Sequence, residues 1–155
     1  MVMLIKRYLS RKTKYALVFF IAAFIFSWWW FSGKNSYEVV SVNIGPEVVV
    51  TAQIAGTPML QQIGLSRHRS LDDGAGMLFV FDRSSRYDFW MKDMDFPIDI
   101  IWMDGGGYVV YIEHELQPES YPETYGPAFD SQYVLEVPSG FSRKHNIEIG
   151  QKITW

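Results

Sequence analysis

The sequence predicts an all-β domain, a compact β-sandwich or small barrel with one or two short helices, preceded by one transmembrane helix. Three observations carry this prediction. Residues 15–31 form an uncharged apolar run interrupted mainly by Ser27. Downstream, short alternating runs follow one another without long helical patterns between them, which favours a sandwich or small barrel over a βαβ fold. The charge divides at the same place. Residues 1–14 hold five cations and no acid, whereas residues 34–155 hold nine Lys/Arg against seventeen Asp/Glu, a net of −8.

The basic end is Lys6, Arg7, Arg11, Lys12 and Lys14, read as a cytoplasmic segment over residues 1–14 because cations stay inside. Residues 15–33 are assigned to a membrane anchor. As a helix, residues 15–31 would measure about 26 Å, slightly short of the roughly 30 Å hydrocarbon core. Lys12 and Lys14 can snorkel at one end, and Trp28, Trp29 and Trp30 supply an aromatic belt at the other. This orientation puts the body of the chain outside the cytoplasmic membrane. A cleavable signal peptide is the competing reading, but Trp30, Phe31, Ser32 and Gly33 put bulk where small residues are wanted.

Residues 34–46 read as a linker and candidate first strand, and residues 47–155 as the extracytoplasmic β domain. In residues 48–55, Val50, Ala52 and Ile54 can face a core while Thr51 and Gln53 face water. Thr57 and Pro58 mark a short helix through Ile63, with Thr57 as its cap. Further β-like runs lie at residues 77–81, 87–91, 98–103, 108–113 and 133–137, with a last short one near 152–155. Asp104-Gly105-Gly106-Gly107 is a hairpin signal between two of them, since glycine supplies positive φ without steric cost. Ser139 is placed as the cap of a helical turn over residues 141–145. Residues 116–132 hold three prolines and three aromatics and read either as a binding loop or as a solvated connector. The predicted core includes Ile54, Leu65, Leu78, Phe79, Ile100, Val110 and Leu135.

Several chemistries are excluded at once. The absence of cysteine removes disulfide scaffolds, zinc ribbons, iron–sulfur sites and thiol nucleophiles. His68, His114 and His145 show no metal-binding spacing, and Asp93, Asp95 and Asp99 lack the glycine turn and final glutamate of a calcium loop. There is no phosphate-cradling glycine loop or dinucleotide fingerprint, so no cofactor is expected. The acidic body argues against nucleic acid, whose phosphates need a basic footprint. Ser66 stands in Gly-Leu-Ser-Arg-His, which lacks the second glycine of a hydrolase nucleophile elbow.

Two carboxylates interrupt apolar strands. Asp99 lies within Ile98-Asp99-Ile100-Ile101-Trp102, on the face of Ile101 and Met103, and Glu136 shares a face with Val134. Such a group must be exposed, paired or hydrogen-bonded. The bland reading is an outward face or a structural ion pair. The sharper one is a pocket in which Trp90, Asp99 and Glu136 converge, with Lys92 or His68 supplying positive charge.

The blocks Gly64-Leu65-Ser66 with Leu71, residues 76–81, Phe89-Trp90-Met91-Lys92, Pro97-Ile98-Asp99-Ile100, and Val134-Leu135-Glu136-Val137 with Gly140 resemble, in that order, the prokaryotic domain of unknown function 192. The resemblance covers about residues 47–154. It implies a compact β-sandwich-like fold with short helices, commonly behind an export signal or anchor, and no activity. The chain departs from the family pattern at His68, where arginine is usual, and at Asp93-Met94, where asparagine-threonine is common.

Two classes of function remain, with a third beside them. One is a non-catalytic binding or accessory module for a small, sugar-like or peptide ligand, using Trp90, Lys92, Asp99, Glu136 and His68. The other is a hydrolase-like enzyme working through Asp99 and Glu136. The third is a structural partner in an envelope complex.

Overall fold

The computed structural model describes Tyr15, residues 19–21 and residues 37–155, which fall into two units divided after Ser36. In the first unit the described residues are helical. The rest of the predicted anchor, the basic segment before it and the start of the linker lie outside the described residues. Among the described residues, no helix is long and apolar enough to cross a membrane.

The second unit is mostly β. Its strands are β1 (Val39–Ile44), β2 (Val48–Ala55), β3 (Ala75–Ser85), β4 (Phe89–Trp90), β5 (Ile98–Met103), β6 (Val109–Leu116), β7 (Thr124–Tyr125), β8 (Ser131–Pro138) and β9 (Ile153–Thr154). Two short helices, α1 (Pro58–Ile63) and α2 (Phe141–Lys144), and a 3-10 turn at Pro118–Ser120 complete it. The candidate first strand is therefore real. Seven strands form one sheet in the order β6-β5-β8-β3-β2-β1-β9, and β4 pairs with β7 in a separate ribbon.

This is one curled sheet and not two stacked ones. Of the two architectures predicted, it stands nearer the small barrel. The chain end brings the two edges together: Tyr108 bridges Lys152, Val109 N–H donates to the Gln151 carbonyl (2.9 Å), and Ile153 N–H donates to the Gly107 carbonyl (2.9 Å). Strand alternation records only which residues share a face, so it could not separate a sheet folded on itself from two sheets face to face.

A second correction concerns connectivity. β2 and β3 run parallel, joined through α1, so one βαβ unit does occur. A parallel pair needs a crossover of about a dozen residues or more, and the segment between Ala55 and Ala75 supplies it. Thr57 caps α1 as predicted, its Oγ1 accepting from Leu60 N–H (3.3 Å).

The curl creates two apolar layers. The inner one holds Val42, Val50, Leu78, Ile101, Leu135 and Val137, and the outer one holds Met77, Phe79, Met91, Ile100, Trp102 and Val134. All six residues of β5 are buried, because both faces of this strand are covered. Of the predicted core, Ile54 and Val110 are only half-buried; Val109, one residue earlier, takes the inner position instead. The Asp104–Gly107 hairpin forms as expected, the Asp104 carboxylate accepting from Gly106 N–H (2.8 Å) and Tyr108 N–H (2.9 Å). Residues 116–132 are not a featureless connector: they carry the 3-10 turn and β7, which pairs Thr124 with Trp90 and Tyr125 with Phe89.

Candidate functional site: an aromatic cleft over a buried carboxyl

Cross-strand register decides where the two carboxylates go. Asp99 pairs with Val137 across β5 and β8, and Glu136 pairs with Ile100. Residues opposite one another share a face, so Asp99 lies on the inner side with Val137 and Glu136 on the outer side with Ile100. The predicted convergence of Asp99 and Glu136 is therefore corrected: the sheet itself stands between them.

Asp99 is wholly buried and works as a clasp. Its Oδ1 accepts from the N–H of Glu115 (2.8 Å) and Gly140 (3.0 Å), and its Oδ2 accepts from Ser142 N–H (2.9 Å). The last two groups belong to the start of α2, whose N-cap is Gly140 at φ +79. Ser139, the predicted cap, makes no such bond; a carboxylate from β5 does the capping across the fold. His114 Nδ1 stands 3.9 Å from Asp99 Oδ2.

Glu136 is the opposite case. It is 5% exposed, and its Oε2 is buried with no hydrogen-bond partner. Met77 and Ile100 flank it on the neighbouring strands. Burial alone lifts its pKa from 4.5 to about 8, since the neutral acid is the form a low-dielectric site prefers. It forms part of a half-open cleft of about 180 Å³. Phe79, Phe81, Tyr87 and Phe89 wall the cleft, and Trp90 and Lys92 stand beside them. Phe81 and Tyr87 stack at 3.6 Å with 9° between ring planes, and Phe89 meets Phe79 edge-on at 4.8 Å.

Of the five residues predicted for the site, three come together: Glu136, Trp90 and Lys92. Trp90 is half-exposed and meets Tyr121 edge-on at 6.4 Å, so the loop aromatic is placed beside it. The Lys92 side chain is half-exposed, with Nζ 3.7 Å from Asp93 Oδ2. Asp99 faces away, and His68 does not line the cleft. The His68 N–H donates to the Leu65 carbonyl (2.8 Å) and its ring lies 6.3 Å from that of Tyr37.

Gly64 and the Phe79–Phe81 pair were missed as site residues. The signal for the phenylalanines was present, since an i, i+2 spacing in a strand puts Phe79 and Phe81 on one face with Met77. Gly64 ends α1 at φ +52, ψ −137, and a Cβ there would lie 3.4 Å from the Phe79 ring and 4.0 Å from Glu136 Oε2. We expect Gly64→Ala to cost about 1–3 kcal/mol, because the backbone conformation is strained for an L residue. Thermal unfolding checks this, and an unchanged melting temperature would mean the turn relaxes freely.

The geometry defines a class: a mostly-β domain whose single curled sheet carries an aromatic cleft floored by one unpaired carboxyl. The chain belongs to the DUF192 family, described as an uncharacterized ACR, whose pattern it matches over residues 40–155. That match reaches back into β1, beyond the stretch the sequence blocks suggested. No curated protein matches the chain.

Among the solved structures similar to it are these two. One is a protein of unknown function from Novosphingobium aromaticivorans DSM 12444, with a TM-score of 0.74 and 25% identity, covering 79% of this chain and 89% of that one. The other, from Sinorhizobium meliloti 1021, is described as a proposed transcription regulator. It has a TM-score of 0.74 and 24% identity, covering 79% of this chain and 97% of that one, a likeness that establishes the fold.

Proposed function

We propose that the chain is a membrane-anchored, extracytoplasmic binding module that holds a small ligand in the cleft above Glu136. The observation that carries this reading is the unpartnered Glu136 Oε2 at the foot of an aromatic-walled cleft. A buried polar group without a partner costs stability, and a ligand that supplies the partner recovers it. Aromatic walls with a few polar groups suit a small amphipathic molecule, or the end of a longer sugar-like or peptide one. The anchor assignment rests on the apolar run, its basic flank and its tryptophan belt. The net charge of −8 over residues 34–155 speaks against a nucleic-acid partner.

A second reading, acid catalysis, draws on the same Glu136, because a carboxyl protonated near neutral pH is what a general acid requires. It no longer has Asp99 as a second carboxylate. That leaves binding as the better supported function.

Full-length protein extracted from membranes and analysed by native mass spectrometry is expected to carry a small molecule that is lost in Trp90→Ala, with melting little changed. Wild type and variant emerging equally empty, with no small molecule from a broad metabolite mixture retained, would refute the reading. Resistance to alkaline carbonate extraction is expected in the same preparation; a soluble product beginning near residue 34 would remove the anchor.

A further inference from the structure

We infer that the cleft takes a small organic cation, an alkylammonium or methylated ammonium group, with its charge against the Glu136 carboxylate and its apolar part against Phe81, Tyr87 and Phe89. This inference rests on the binding reading above and names the ligand class.

The first support is what surrounds Glu136. From β3 it faces Met77 and Phe79, from β5 Ile100, and from the end of α1 Gly64, none of which is titratable. The charged or titratable residues that share the cleft are Asp88, Lys92 and Tyr87. Lys92 has Asp93 as a neighbour, and the Tyr87 hydroxyl donates to the Arg83 carbonyl (2.8 Å). Among the described residues no cation forms an ion pair with Glu136, which is 5% exposed, although Lys92 lines the same cleft. A buried carboxylate is tolerated when a counter-charge reaches it.

The second support is the walls. The stacked Phe81–Tyr87 pair, each ring with one face left uncovered by the other, and the edge-on Phe89 line the same cleft as the carboxyl, and such rings attract cations, most strongly where water is excluded. The third is long-range. A domain carrying a net −8 concentrates cations and repels anions at its surface. A neutral ligand would draw on the aromatic walls and could hydrogen-bond the carboxyl, but would gain nothing from a charge on Glu136 or from the field.

The chemistry makes a specific demand. Glu136, with a pKa of about 8 when the cleft is empty, holds its proton at neutral pH and must release it to solvent as the cation enters. Affinity should therefore rise as pH rises towards 8 and level off above it.

The test is calorimetric titration of the full-length protein in detergent with choline and with its neutral isostere 3,3-dimethylbutan-1-ol, between about pH 6 and about pH 9, in buffers of differing ionisation enthalpy. Choline is expected to bind at least about tenfold more tightly than the alcohol at the upper end, and about tenfold more tightly per pH unit below 8. Near neutral pH nearly one proton should leave per choline bound. Glu136→Gln should abolish the proton release and bring choline down to the alcohol. If the alcohol binds as well as choline without proton release, the cation inference fails while the binding cleft stands. If neither probe binds, the inference also fails, and the mass-spectrometric screen alone then decides the binding reading.

Discussion

Asp99→Ala is expected to lower stability by about 3–5 kcal/mol, a drop of more than about 10 °C in melting temperature. The reason is the count of donors left behind. Three backbone N–H groups, from Glu115, Gly140 and Ser142, point at this one carboxylate from two separate segments. The Ser142 N–H cannot reach water when the side chain is removed, since Asp99 and Ser142 are fully buried, and those of Glu115 and Gly140 are part-buried. Asp99→Asn should cost less, because its carbonyl oxygen still accepts, although its amide hydrogens would then face N–H donors. Differential scanning calorimetry of the two variants measures the effect. Choline affinity, corrected for the folded fraction, should be untouched, because Asp99 lies on the opposite side of the sheet from the cleft. A variant that melts like wild type, or one that loses binding while remaining folded, would contradict the clasp.

Glu136→Gln should do the reverse and stabilise the domain at neutral pH. The folded carboxyl titrates near 8 and the unfolded one near 4.5. Below the lower value both states are protonated and the folded state carries no penalty. Between the two, the unfolded chain ionises while the folded one keeps its proton, so stability falls by about 1.4 kcal/mol for each pH unit gained. Above about 8 both states are ionised and the loss is complete. Glutamine cannot ionise, so the wild-type-minus-variant difference should widen with pH and reach roughly 3 kcal/mol at pH 7. Urea unfolding of both proteins at several pH values tests this, and parallel curves would show that Glu136 ionises freely when folded. Stabilisation by replacing a buried side chain is the mark of a residue retained for something other than the fold.

Much of the site was written locally. The i, i+2 spacing around Glu136, the Phe79–Phe81 alternation, and Trp90 with Lys92 in one block are all visible along the chain. The strand faces were legible too: Asp99 does lie with Ile101 and Met103, and Glu136 with Val134. His68 offered the right charge, but its distance from Glu136 is set by the fold and not by the local sequence, and it does not line the cleft.

By itself, then, the sequence determined the short strands, the glycine hairpin, the Thr57 cap and the face of each carboxylate, because these depend on residues within a few positions of one another. Only the tertiary structure decided that Asp99 pairs with Val137 while Glu136 pairs with Ile100, which separates two carboxylates that alternation alone left free to meet. It also decided that one sheet curls until Tyr108 meets Lys152, and that a carboxylate on β5 caps a helix 41 to 43 residues further on. Register and curl are set by which distant strands bury their apolar faces against each other, and that choice is made between segments rather than within one.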